Sequence, residues 1–168
     1  VAWIMFPLVV RGFGIFATMV GLLSVRAREG ENPMSALNRG YGVSVLLAIV
    51  GLFVAVNLTL GNMLFFYAGL VGIATSVIVV FITQYYTEGA YRPVKSIVEA
   101  SKTGPATNIV MGGAVGFEST LSTALLIGGA LFMSNWLGSM ATLPDGTPIQ
   151  HAGLFGTAAA TMGMLMTA

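Results

Sequence analysis

From Met63 to Tyr85 the chain runs without one charged side chain, and Trp3 to Val25, Tyr41 to Leu60 and Asn108 to Trp136 carry at most one each. A helix needs roughly 20 predominantly apolar residues to cross the hydrocarbon core of a bilayer, and each of these stretches is that long. Only 8% of the residues are charged and 56% are hydrophobic, against roughly 25% charged in an ordinary soluble domain. A surface so poor in charge suits lipid, which accepts an apolar exterior at no cost. Strands are not indicated: the runs lack period-2 alternation and are about twice the length of a barrel strand. The expected fold is all-α, a polytopic transmembrane helical bundle of four full spans, with Leu154 to Ala168 as part of a fifth. The first residue is Val1 with no basic segment ahead of the apolar run, and the last stretch stops short of a full crossing, so both ends read as cuts within a longer chain.

Charge placement orients the spans. Of the seven basic residues, Arg26, Arg28 and Arg39 fall in the connection 26–40, and Arg92, Lys95 and Lys102 fall in the connection 86–107. Two spans separate these connections, so they share one side. The connections 57–62 and 138–153 hold no Lys or Arg, and the positive-inside rule therefore assigns the basic pair to the cytoplasm. Arg11, near the outer end of the first span, is expected to snorkel to the surface.

Between the third and fourth spans, Pro93 suits a first helical turn and Val94, Ile97, Val98 and Ser101 recur along one face. Gly104-Pro105 supplies a stop, so a short surface helix is expected. Thr107 or Asn108 would then cap the following transmembrane helix. On the outer side, 143–148 carries Pro-Asp-Gly turn chemistry. Gly112, Gly116, Thr120, Ala124 and Gly128 fall at every fourth position of the fourth span, a seam along which another backbone can approach closely. Ala68, Gly72 and Ser76 repeat the pattern in the third.

Several chemistries are excluded. Cysteine is absent, which removes disulfides, thiolate catalysis and Cys-type zinc sites. The only histidine, His151, and the only aspartate, Asp145, cannot assemble a metal site between them. No basic stripe tracks nucleic acid, no phosphate-binding loop is complete, and no base stands ready to activate a Ser or Thr. Glu118 is the one acidic residue well inside an apolar span, roughly 15 Å along the helix from Asn108. An ionised carboxylate near the bilayer centre costs about 2.5 to 3.5 kcal/mol on insertion scales. Either it serves an ion or proton pathway, or it bonds to Ser119, Ser122 or a neighbouring helix. Gln84, beside Tyr85 and Tyr86, reads as an interfacial anchor.

Residues 82–120, ITQYYTEGAYRPVKSIVEASKTGPATNIVMGGAVGFEST, resemble the membrane-bound, ion-translocating inorganic pyrophosphatases. That family shows an Ile-Thr-Glu-Tyr-Tyr-Thr run, a basic Arg-Pro-Val segment, then Thr-Gly-x-Ala-Thr-Asn-Ile and a Gly-rich helix start ending in Glu-Ser-Thr. Here these stand as Ile82 to Thr87, Arg92 to Val94, Thr103 to Ile109 and Gly112 to Thr120. Arg11 to Gly21, Val25 to Glu29 with Asn32-Pro33, and Ala36 to Gly40 extend the likeness.

The resemblance implies a larger pump of about sixteen helices in two concentric rings, of which this segment supplies mainly outer-ring helices. It implies hydrolysis of magnesium pyrophosphate coupled to proton or sodium-ion export, a homodimer, and residence in a prokaryotic cell membrane or an acidic-organelle membrane. The family's catalytic aspartates and lysines would lie outside this segment, which alone is expected to be inactive and to bind no metal. Its partners would be the bilayer and the remaining helices of the pump. Gln84 stands where the family has glutamate, so a role of that carboxylate does not carry over unchanged, while Glu118 matches the Glu-Ser-Thr form; the two are the candidates for an ion pathway or for coupling. The competing class is a secondary transporter or channel module without hydrolytic activity.

Overall fold

The computed structural model describes residues 2–25, 33–142, 147 and 149–167. Its helices are α1 (Ala2–Leu23), α2 (Pro33–Thr59), α3 (Met63–Thr87), α4 (Arg92–Ser101), α5 (Pro105–Ser139) and α6 (Ala152–Met166). α1, α2, α3 and α5 are long and apolar enough to cross a membrane. The turn chemistry anticipated at 143–146 and at 148 lies outside the described residues, as do Arg26 and Arg28.

The chain divides into two compact units, Val1–Ser76 with Ala130–Ala168, and Val77–Gly129. In the first, α1 packs along α2, and α6 lies against both. Phe6 and Val10 of α1, Leu52 and Val56 of α2, Ile73 of α3 and Met166 of α6 are sealed into one core. A second cluster is aromatic. Phe155 meets Trp3 at 4.7 Å, Phe65 at 5.1 Å and Phe6 at 5.8 Å between ring centroids, and the two closer pairs are edge-on, the geometry that the ring quadrupole favours. α2 ends where Gly61, with φ of +61°, donates its amide to the Val56 carbonyl at 2.9 Å. α3 then starts under Asn62, whose side-chain oxygen accepts from the Leu64 amide at 3.0 Å.

What sets the spacing in this unit is the absence of side chains. A Cβ on Gly72 of α3 would strike the Ala160 backbone of α6, and one on Gly163 would strike the Gly69 carbonyl. Gly138 and Gly156 face each other so closely that a Cβ on either would come within 2.8 Å of the other's Cα. Lipid tails are as apolar as leucine, so burial alone gives these helices no reason to associate. Close backbone contact supplies the attraction instead. The seam Ala68, Gly72, Ser76 is buried along this contact.

Hydroxyl groups add direction to it. Ser76 of α3 receives a hydrogen bond from Thr167 at the end of α6 at 2.8 Å, and Tyr41 of α2 lies 3.2 Å from the same oxygen. Arg11 of α1 donates to the Leu165 carbonyl of α6, which ties α1 to the last turn of α6.

Two outcomes follow for the full-length protein melted in detergent. Gly72→Ala is expected to cost about 1 to 3 kcal/mol, because the added carbon overpacks a backbone contact, whereas Gly42→Ala, whose new carbon would meet nothing within 4 Å, should leave stability unchanged or raise it by up to about 1 kcal/mol. Ser76→Ala should cost about 0.6 kcal/mol, the mean for an interhelical hydrogen bond in a membrane; equal melting of Gly72→Ala and Gly42→Ala would contradict the packing described.

Candidate functional site

The second unit contains the final turns of α3, the whole of α4 and most of α5. α4 is the short helix expected after Arg92, entered through Tyr91 in extended conformation with Pro93 in its first turn, where a missing amide hydrogen costs nothing. Gly104, with φ of +141°, takes a conformation open to glycine alone and lets the chain reverse into α5. The reversal is bonded: the Thr107 hydroxyl lies 2.9 Å from the Ala100 carbonyl, 2.8 Å from the Gly104 carbonyl and 3.0 Å from the Thr103 hydroxyl.

α5 begins at Pro105, so Thr107 and Asn108 sit within its first turn and not ahead of it. Thr107 works as the knot of the α4–α5 reversal, while Asn108 donates its backbone amide to the Gly104 carbonyl at 3.2 Å. The side-chain oxygen of Asn108 is buried and has no partner among the described residues.

Beyond the reversal, α4 and α5 line two crevices together. The first is an apolar groove between Ala100 and Thr103 on one side and Val110, Met111 and Ala114 on the other. The second is mixed: Tyr85 at the end of α3, Arg92, Pro93 and Ser96 of α4, and Met111, Ala114, Val115 and Glu118 of α5 face a common space. Glu118 thus shares a crevice with a cation that the linear sequence places in a separate loop. Its backbone carbonyl accepts from Ser122 at 3.1 Å; Ser119 bonds back to the Gly116 carbonyl at 2.9 Å and not to the carboxylate.

Gln84 lies half-buried one residue before Tyr85, and its carbonyl accepts from the Glu88 amide at 2.9 Å. Tyr85 meets Tyr86 at 5.2 Å and Tyr91 at 5.4 Å between ring centroids, an aromatic cluster of the kind found where lipid meets water. Along the α5 seam, Cβ atoms on Gly112, Gly116 or Gly128 would meet nothing within 4 Å, and Thr120 spends its hydroxyl on the Gly116 carbonyl at 2.9 Å. The structure therefore brings Glu118 to Arg92 and Tyr85, ties Thr107 to α4, and leaves the glycines of the α5 seam open.

Two polar arrangements escaped the sequence reading: the Tyr41–Ser76–Thr167 hydroxyls and the Arg11–Leu165 contact. Their members come from helices distant in sequence, and no local spacing signals such a meeting. No group of three or more His, Cys, Asp or Glu side chains able to hold a metal comes together among the described residues. The arrangement offers helix packing, one pair of opposite charges in a shared crevice, and an open seam.

The sequence matches the family described as inorganic H+ pyrophosphatase along residues 1–168. It is 52% identical to the K+-insensitive pyrophosphate-energized proton pump 2 of Moorella thermoacetica, over 98% of this chain and 24% of that protein. It is 44% identical to the K+-insensitive pyrophosphate-energized proton pump of Caldanaerobacter subterraneus, over 98% of this chain and 24% of that protein. With the pyrophosphate-energized membrane proton pump 3 of Arabidopsis thaliana the identity is 38%, over 99% of this chain and 22% of that protein. The chain spans about a quarter of the length of the curated relatives it matches. A match unbroken from the first residue to the last, on helices long and apolar enough to cross a bilayer, means that the chain belongs to the inorganic H+ pyrophosphatase family.

Proposed function

We propose that this chain is a membrane-embedded segment of a pump that couples the hydrolysis of inorganic pyrophosphate to the transport of protons. The observation that carries this reading is the 52% identity, across 98% of the chain, to a protein named as a pyrophosphate-energized proton pump. The segment's own part is structural. α1, α2, α3 and α6 form a wall fixed by glycine contacts, and the open seam Gly112, Gly116, Thr120, Ala124, Gly128 of α5 packs against helices from the rest of the protein.

Hydrolysis of pyrophosphate by this family calls for a metal ion, and magnesium is the proposed one, a hard cation that would offset the charge of the phosphate groups. The described residues do not fit such a site, since they bring no set of carboxylates together. On the family resemblance, the carboxylates that would hold the metal lie in the remainder of the pump. The basic connections at 26–40 and 86–107 face the cytoplasm by the positive-inside rule. Two copies of the whole protein associate, which light scattering of the purified pump would register as twice the monomer mass. Glu118 and Gln84 are the candidates in this segment for coupling hydrolysis to ion movement.

Inverted membrane vesicles carrying the full-length protein should acidify inside when magnesium and pyrophosphate are both added, and should stop when either is withheld. A proton ionophore should abolish the signal and a sodium ionophore should not. Uptake that runs only on a gradient imposed beforehand, with no consumption of pyrophosphate, would mark a secondary transporter and overturn the reading.

A further inference from the structure

Counted along the sequence, Glu118 sits deep in an apolar run, but depth in a run equals depth in the bilayer only where the run is no longer than the bilayer is thick. The structure separates the two. α5 has 35 residues, about 52 Å of helix against a hydrocarbon core of about 30 Å, so a large part of it must lie outside lipid or tilt steeply.

Which part lies outside is set by α4. The Thr103 and Thr107 hydroxyls touch at 3.0 Å where the chain reverses. From there α4 extends back over its 10 residues, about 15 Å, to Arg92, and α5 extends about 16 Å from Thr107 to Glu118. These equal arms end at the same place, because Arg92 and Glu118 line one crevice with Tyr85. The intermediate positions match in register, with Ser96 sharing that crevice with Ala114, and Ala100 sharing the groove with Val110. Residues 92–118 are thus an αα-hairpin with Glu118 at its base, level with the end of α3 and its tyrosine cluster. Past Glu118, the uncharged stretch from Ser119 to Ser139 is about 31 Å long. That length suffices to cross the hydrocarbon core, and Trp136 lies near its far end.

We infer that Glu118 lies at the membrane surface that carries the basic connections, not at mid-depth, and is the electrostatic partner of Arg92, the two charges pinning the base of the 92–118 hairpin. Three observations agree with this: opposite charges facing one crevice, equal arms measured from the bonded reversal, and a remaining stretch of α5 that fits the bilayer. Arg92 and Glu118 line a common crevice, and a water in that space can bridge the two charges. Ile109 and Phe117 are exposed on α5. Glu118 is on this account a positioning residue: it bears on coupling by fixing the hairpin and binds no ion in transit. The inference takes its sidedness from the proposed function; the pairing does not depend on it.

The test is a charge exchange in the full-length protein. Arg92→Glu and Glu118→Arg, each alone, should lower the melting temperature in detergent and cut pyrophosphate-driven transport roughly fivefold, and the combined exchange should restore both to within about twofold of the original. Where a single variant does not accumulate in the membrane, recovery of inserted protein by the combined exchange is the readout. An exchange no better than the worse single variant overturns the pairing. For placement, Glu118→Cys and Leu125→Cys, made with any cysteine elsewhere in the protein replaced, are exposed to a membrane-impermeant maleimide in inverted vesicles. Glu118→Cys should react as Arg92→Cys does and Leu125→Cys should not; a Glu118→Cys as unreactive as Leu125→Cys overturns the placement. Melting needs no substrate, so recovery of stability in a protein that moves nothing on pyrophosphate would count against the pump reading and leave the pair standing.

Discussion

Everything in the first unit depends on backbone meeting backbone where glycine leaves room. Gly72 against Ala160, Gly163 against Gly69 and Gly138 against Gly156 fix the distance of α6 from α3 and from the end of α5. In water, leucine-rich faces would drive such helices together without demanding close fit. In lipid that drive vanishes and only better contact than lipid itself can give remains. Glycine removes the side chain that would keep two helices apart, and it also removes the tolerance for error. Once α6 is this close, its spacing from α3 is set. Phe155 can then reach Trp3, Phe6 and Phe65 together.

A few polar groups in this unit are spent between helices. Tyr41, Ser76 and Thr167 join α2, α3 and α6, and Arg11 joins α1 to the last turn of α6. Other hydroxyls, such as Thr75 on the Val71 carbonyl at 2.7 Å, bond back to their own helix and satisfy themselves without specifying a neighbour. The interhelical bonds converge on one end of α6, whereas the glycine contacts run along its length. Contact along the length sets spacing, and polar contact at the end sets register. The two kinds of interaction are complementary for this reason.

The sequence disclosed the spans because the solvent dictates them: a stretch that must shed charge over about 30 Å is visible to any count of charged residues. The seam at Ala68, Gly72 and Ser76 was legible for a similar reason, since small residues at a spacing of four have few uses other than a close approach. Gly104-Pro105 was legible as a stop, and Gly104 does carry the reversal. Less was visible at the helix start, where Thr107 and Asn108 have the chemistry of caps but Pro105 already opens the helix. A capping residue is recognised by its type and its place, and the place is decided by where the helix begins. The hydroxyl cluster and the Arg11 contact were hidden altogether, since each joins residues that only folding brings together.

Glu118 shows most clearly where sequence reading stops. An apolar run measures how much of a helix avoids charge, and that equals the depth of lipid only if the run is no longer than the bilayer is thick. α5 breaks the equality because its first turns are apolar for another cause: Val110, Met111 and Ala114 face α4 across the groove. Burial against protein and burial in lipid select the same residues, so hydropathy cannot tell them apart. Only the bonded reversal at Thr103 and Thr107, and the crevice that Glu118 shares with Arg92, place the carboxylate beside a cation. A side chain that seemed to cost free energy by lying in hydrocarbon instead stands where an opposite charge and access to water both lower that cost.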